Sequence, residues 1–217
     1  AHLASDLERL SGEPLELAFN LVLEHGDGAA APAMRALLLS GRAPRPERAV
    51  RALSDWAGER APAELAGLLS GDPSLNESVF ARLREALKRY PDSGRAQQAA
   101  AFARLFTDAD RRLRRGAAQA AGELGLAFES LIDLVEDREA SVRSAAITSA
   151  RALSLANAVP RILSRLDDDD PDVRVAAALS LVALRPALRP RVELQMSGED
   201  CPWVKHRLEL SLPAAPK

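Results

Sequence analysis

DDPDVRVAAALSL, running from Asp169 to Leu181, packs carboxylates, a proline, a Val-Arg pair and a run of alanines into thirteen residues. Such a stretch is either a site or one copy of a structural unit. Internal repetition is the first thing to test, because missing it misreads the whole fold. DRRLRRGAAQAAGEL (Asp110–Leu124), EASVRSAAITSARAL (Glu139–Leu153), DPDVRVAAALSLVAL (Asp170–Leu184) and DCPWVKHRLELSL (Asp200–Leu212) lie in one register. The apolar residue ahead of each base falls at Leu113, Val142, Val173 and Val204, in steps of 29, 31 and 31 residues. The base follows as Arg114, Arg143, Arg174 and Lys205, and an acid stands five residues before each anchor, as Asp108, Asp137, Asp168 and Glu199. The stretch is therefore a unit of an architecture.

Between these segments lie shorter apolar-periodic ones: AFESLIDLVED (Ala127–Asp137), NAVPRILSRLDD (Asn157–Asp168) and PALRPRVELQM (Pro186–Met196). Pro160, Pro171, Pro190 and Pro202 fall near helix starts, where a missing N–H costs little. Each unit thus reads as two antiparallel helices joined by a short turn. Positions 0, +4, +7, +8 and +11 from each anchor share one helical face. In two copies they are Val173, Ala177, Ser180, Leu181 and Leu184, and Val142, Ala146, Ser149, Ala150 and Leu153. One unit cannot bury that stripe alone, so neighbours must stack. The N-terminal half is more degenerate, with helices expected near 2–10, 14–24, 30–39, 46–57, 62–70, 74–89 and 93–106. Val50-Arg51 keeps the anchor and base, but Arg45 stands where the acid should be. No alternating β-branched pattern marks a strand.

The composition agrees. Of 217 residues 47% are hydrophobic and only 4% aromatic, so the core is built largely of Ala and Leu, both strong helix formers. With 29 bases against 31 acids the net charge is −2, which lacks the basic excess that non-specific nucleic-acid binding requires. Cys201 is the single cysteine, so no intrachain disulfide forms and a reducing, cytoplasmic location is expected. The longest uncharged apolar run, Val175–Leu184, is about half the ~20 residues of a membrane span, so no membrane insertion is expected. The first residues lack the layout of a signal peptide and an initiator Met, as a processed, excised or tagged chain would.

VEDREASVRSAAITSARAL and LDDDDPDVRVAAALSLVAL resemble the HEAT repeat, a helical hairpin with an acid in its turn and a Val-Arg start to its second helix. The resemblance is strong over 108–212 and weak over 1–107. It implies an all-α, right-handed α-solenoid of about seven antiparallel helix pairs, a single array over 1–217 with a tail at 213–217, and second helices lining a concave face. It also implies a ladder between repeats made by Asp108, Arg114, Asp137, Arg143, Asp168, Arg174, Glu199 and Lys205. The acid of each copy also reads as a helix cap, near the positive end of the second helix, which favours a negative charge. A catalytic reading of the same residues is weaker, since catalytic groups seldom recur in every repeat. Asp167–Asp170 lacks the glycine and closing Glu of an EF-hand loop and reads as a solvated turn.

The columns +2, +6 and +9 point away from the core stripe. They name Arg115, Gln119, Ser144, Thr148, Arg151, Val175, Leu179 and Val182 as a protein-binding surface, apolar at Val175, Leu179 and Val182 with a basic flank. The alternative is that a neighbouring repeat covers the apolar members. No catalytic, cofactor-binding or metal-ligating set is identified. His2, His25 and His206 are scattered and are not followed by the Glu of a HEAT-like hydroxylase, one cysteine supplies no zinc set, and neither a phosphate loop nor a nucleophile elbow occurs. Cys201 before Pro202 reads as an incidental small residue, and Trp56 and Trp203 read as core. The expected function is a non-catalytic scaffold or adaptor whose partner is another protein. The alternatives are a HEAT-like DNA-repair protein of the alkylpurine glycosylase type, resting on the basic cluster Arg111, Arg112, Arg114 and Arg115, and below it a phycobilin-lyase-like enzyme.

Overall fold

A computed structural model of the chain describes residues 6–211, apart from residues 8, 70 and 71 and the side chain of Pro73. The helix expected at 2–10 lies partly outside them, as does the end of the one at 62–70; His2, Leu212 and the tail at 213–217 lie wholly outside. The described residues are helical, with no strand among them. The chain divides into two compact units, residues 1–105 and 106–217.

In the first unit the helices are α1 (Gly12–His25), α2 (Ala31–Leu39), α3 (Pro46–Ala57), α4 (Ala61–Ala66), α5 (Pro73–Arg89) and α6 (Arg95–Phe106), whose last residue begins the second unit. Phe19, Met34, Leu37, Val50, Leu65, Leu83 and Phe102 are buried to within 1%. Asp72 caps α5 by accepting from the amides of Ser74 (2.9 Å) and Leu75 (3.3 Å). Arg45, in the acid's place, takes an acid instead: it donates to Glu16 Oε1 and to Asn20 Oδ1 of α1, each at 3.3 Å. The polarity of the pairing is thus reversed in this repeat, while Val50 still anchors the core.

In the second unit long and short helices alternate. The long ones are α7 (Arg111–Leu124), α9 (Ala140–Ala152), α11 (Pro171–Leu184) and α13 (Pro202–Ser211), and they pack in a row in that order. The short ones are α8 (Glu129–Asp133), α10 (Val159–Leu163) and α12 (Arg189–Ser197). α8 and α10 each tighten into a 3-10 turn at the end, over Leu134–Glu136 and Ser164–Asp167, while 3-10 turns precede α10 and α12. Each tight ending delivers the repeat's acid to the turn: the amides of Asp137, Asp168 and Glu199 donate to Leu134, Arg165 and Met196 three residues back.

The stripe of small and apolar residues forms the core. Val142, Ala146 and Ala150 are fully buried, as are Val173, Ala177, Ser180 and Leu181. It stops at +8, because Leu124, Leu153 and Leu184 at +11 are only half-buried. Small side chains let the axes close up. A Cβ on Gly122 of α7 would lie 2.6 Å from Ser149 Oγ and 3.0 Å from Ser149 Cα of α9. Gly125, left-handed at φ 71°, ends α7, and the Leu126 amide closes back onto Ala121 O at 2.9 Å. In the next repeat Ser154 takes the same conformation at φ 55°, with Leu155 closing onto Ala150.

Candidate functional site

Two arrangements arise from the row of long helices. The first is a chain of buried ion pairs along the starts of the helices. Arg114 Nε and Nη2 donate to Asp137 at 2.7 and 2.9 Å, Arg143 to Asp168 at 2.8 and 2.6 Å, and Arg174 to Glu199 at 2.7 and 2.8 Å. The two-pronged geometry matches a planar guanidinium to a carboxylate. The remaining nitrogen, Nη1, donates to two carbonyls of the arginine's own turn: Asp108 and Ala109, Asp137 and Arg138, Asp168 and Asp169 respectively. Each arginine therefore ties its own turn to the acid of the following repeat. Asp168 and Arg143 side chains are 3% and 13% exposed.

The acids also fold the turns that hold them. Asp108, Asp137, Asp168 and Glu199 accept from the amides of Asp110, Glu139, Asp170 and Cys201 two residues on. They are not the helix caps. Asp110 and Asp170 cap α7 and α11, and Glu139 at the start of α9 makes no side-chain cap. Burial pushes the Asp137 and Asp168 carboxyls up, but the arginine and the turn amide together outweigh it and hold both below the usual carboxylate range. The Arg174 hydrogen bonds do the same for Glu199. The ends of the series differ: Asp108 and Lys205 make no ion pair among the described residues, although Lys205 adds to the positive field on Glu199.

The second arrangement is a groove of about 740 Å³ over the faces of all four long helices. α9 supplies a floor of small side chains, among them Ala140, Ser141, Ser144, Ala145, Thr148 and Ala152. Arg115, Gln119 and Glu123 of α7 stand on one side, and Asp172, Val175 and Leu179 of α11 on the other, with Trp203 and Arg207 of α13 beyond. The groove brings together seven of the eight surface residues named from the sequence. Val182 is half-buried and does not line it, and Val175 lines it while only 6% exposed, so its methyl groups belong mainly to the core. The columns +2, +6 and +9 omitted −1, which holds Ser141, Asp172 and Trp203, and +3, which holds Ala145, Ala176 and Arg207; both extend the same helical face into the groove. Trp203 is not core, as expected from its type, but 47% exposed at the groove; Trp56 is half-buried.

The basic cluster at the start of α7 is largely engaged within the chain. Arg111 pairs with Glu139 at 3.2 Å, Arg112 with Asp110 at 2.9 Å and Arg114 with Asp137, leaving Arg115 as the member that faces the groove. Among the described residues no group of three or more His, Cys, Asp or Glu side chains is placed to hold a metal ion. No helix among them is long and apolar enough to cross a membrane.

A family model described as HEAT repeats matches residues 99–183 and, overlapping them, 128–208. No curated protein matches the chain. The matched span holds α7 to α12, all three arginine–carboxylate pairs and the start of α13, so half the sequence and the repeated geometry point to one conclusion: the chain belongs to the HEAT-repeat family.

Proposed function

We propose that this HEAT-repeat protein is a non-catalytic scaffold or adaptor that binds another protein through the groove over α7, α9, α11 and α13. The observation that carries the reading is the continuity of the groove. Four successive repeats contribute to it, and it combines half-exposed apolar side chains, Leu179 and Trp203, with a polar rim. Aromatic and aliphatic anchors within a polar rim are how protein interfaces concentrate their energy. The six paired ladder residues are assigned to stability rather than to binding, since their charged groups are engaged within the chain.

The test compares wild type with Leu179→Asp and with Thr148→Trp, which fills the floor of the groove. Each is used to capture proteins from its native extract. Proteins held by wild type are expected to be lost from both variants, with the far-UV circular dichroism unchanged. Capture that is indifferent to both substitutions, or capture of nucleic acid in place of protein, would overturn the proposal.

A further inference from the structure

The charges in the groove differ in how far they are already spent. Three acids and three arginines line it. Asp170 accepts from the amides of Asp172 and Val173 at the start of α11, and Glu123 has its own interaction within the chain. The arginines are in the opposite condition: Arg115, Arg151 and Arg207 make no ion pair among the described residues, whereas Arg114, Arg143 and Arg174, on the same helices α7, α9 and α11, each hold a carboxylate. The formal charges balance, but Asp170 and Glu123 are engaged within the chain, whereas the three guanidinium groups hold no carboxylate among the described residues. The three arginines come from three different helices: Arg207 shares α13 with Trp203, Arg151 lies on α9, and Arg115 stands on the opposite side, on α7.

We infer that the occupant of the groove is an acidic segment of a partner protein carrying a bulky apolar side chain. This rests on the protein-binding reading above and specifies the partner's chemistry. The apolar side chain lies against Leu179 and Trp203, and carboxylates on either side of it meet Arg115, Arg151 and Arg207. Guanidinium groups favour carboxylates because two parallel N–H donors match two oxygens. The small side chains of α9 leave room for the segment's backbone between the two walls. A basic segment would leave the three guanidinium groups without carboxylates, so charge sets which partners enter and the apolar contact holds those that do.

The probe is a synthetic peptide of Glu, Gly and Leu, titrated into the full chain carrying Trp56→Phe so that Trp203 alone reports by fluorescence. Three controls accompany it: the same peptide with Lys for Glu, the same with Ala for Leu, and a single-stranded oligonucleotide. The Glu–Leu peptide is expected to bind, to move Trp203 emission to shorter wavelength and to weaken with added salt. Arg151→Glu and Arg207→Glu are each expected to lower its affinity by about tenfold, the effect of reversing one charge-assisted contact. Absence of binding, equal binding of the Lys peptide, tighter binding of the oligonucleotide, or indifference to both charge reversals would overturn the inference. If native capture still depends on Leu179 and Thr148 in that case, the inference alone falls. If capture ignores them, the reading beneath it falls as well.

Discussion

All three guanidinium nitrogens of Arg143 are engaged. Two nitrogens hold Asp168 of the next repeat and the third holds two carbonyls of its own turn. A partly exposed pair would be worth about 1 kcal/mol or less. Asp168 is almost entirely buried, and removing one partner of a buried pair leaves the other charge uncompensated. Arg143→Ala and Asp168→Ala are therefore each expected to cost about 3 kcal/mol in chemical denaturation. The double variant should cost less than the sum of the two, since the second loss removes the stranded charge. Strict additivity would show that the two residues act independently. The spacing of acid, anchor and base is legible in the sequence, because identical residue types recur at a fixed offset. Two things are not legible: that each acid folds its own turn rather than capping the helix, and that Nη1 closes the arginine's own turn. Both depend on backbone paths that residue types do not specify.

At the scale of helices, α7 contains a contrast between two glycines. Gly116 has nothing within 4 Å of where its Cβ would stand, whereas a Cβ on Gly122 would meet Ser149 of α9, backbone included. Gly116→Ala should raise stability by about 0.5–1 kcal/mol through helix propensity alone. Gly122→Ala gains the same propensity but must push two helices apart, and should lower stability by about 1–3 kcal/mol. Equal effects in thermal unfolding would mean that the α7–α9 contact is looser than described. Pairs of helices, their order and most of their bounds follow from periodicity and punctuation. The shortness of α8 and α10 does not, because an apolar run such as SLIDLV looks alike whether it ends as an α-helix or as a 3-10 turn. The exposure of Trp203 escaped for a related reason: a large aromatic is core by type, and only the helical face it shares with Ser141 and Asp172 places it at the groove.

Over the whole molecule the two units differ in what holds their charges. In the second unit three carboxylates of buried pairs are held below their usual range. In the first, the pairs Arg35–Glu64 and Arg45–Glu16 have side chains 38–53% exposed and contribute little. A carboxylate whose folded pKa is lowered lends stability that is complete above the ordinary carboxylate range and is lost as pH falls through that range and below it. Acid should therefore weaken the second unit more than the first. Trp203 reports on one and Trp56 on the other, so each can be read in the background of the other's Phe substitution. Between neutral and acid pH the urea midpoint seen by Trp203 is expected to fall further than that seen by Trp56. Equal falls would remove the ladder as the origin of acid sensitivity.

The arginine–carboxylate joint also governs how such a chain can change length. Excising residues 138–168 would leave Asp137 five residues ahead of Val173, the place Asp168 held. Arg114 would keep its acid, Arg174 would keep Glu199, and no buried charge would be stranded. A cut of about half that length, over 154–168, would instead delete Asp168 and leave Arg143 behind. Duplication and loss of sequence are thus admitted in whole hairpins and resisted in fractions, and the steps of 29, 31 and 31 residues are the trace of that grammar in the chain.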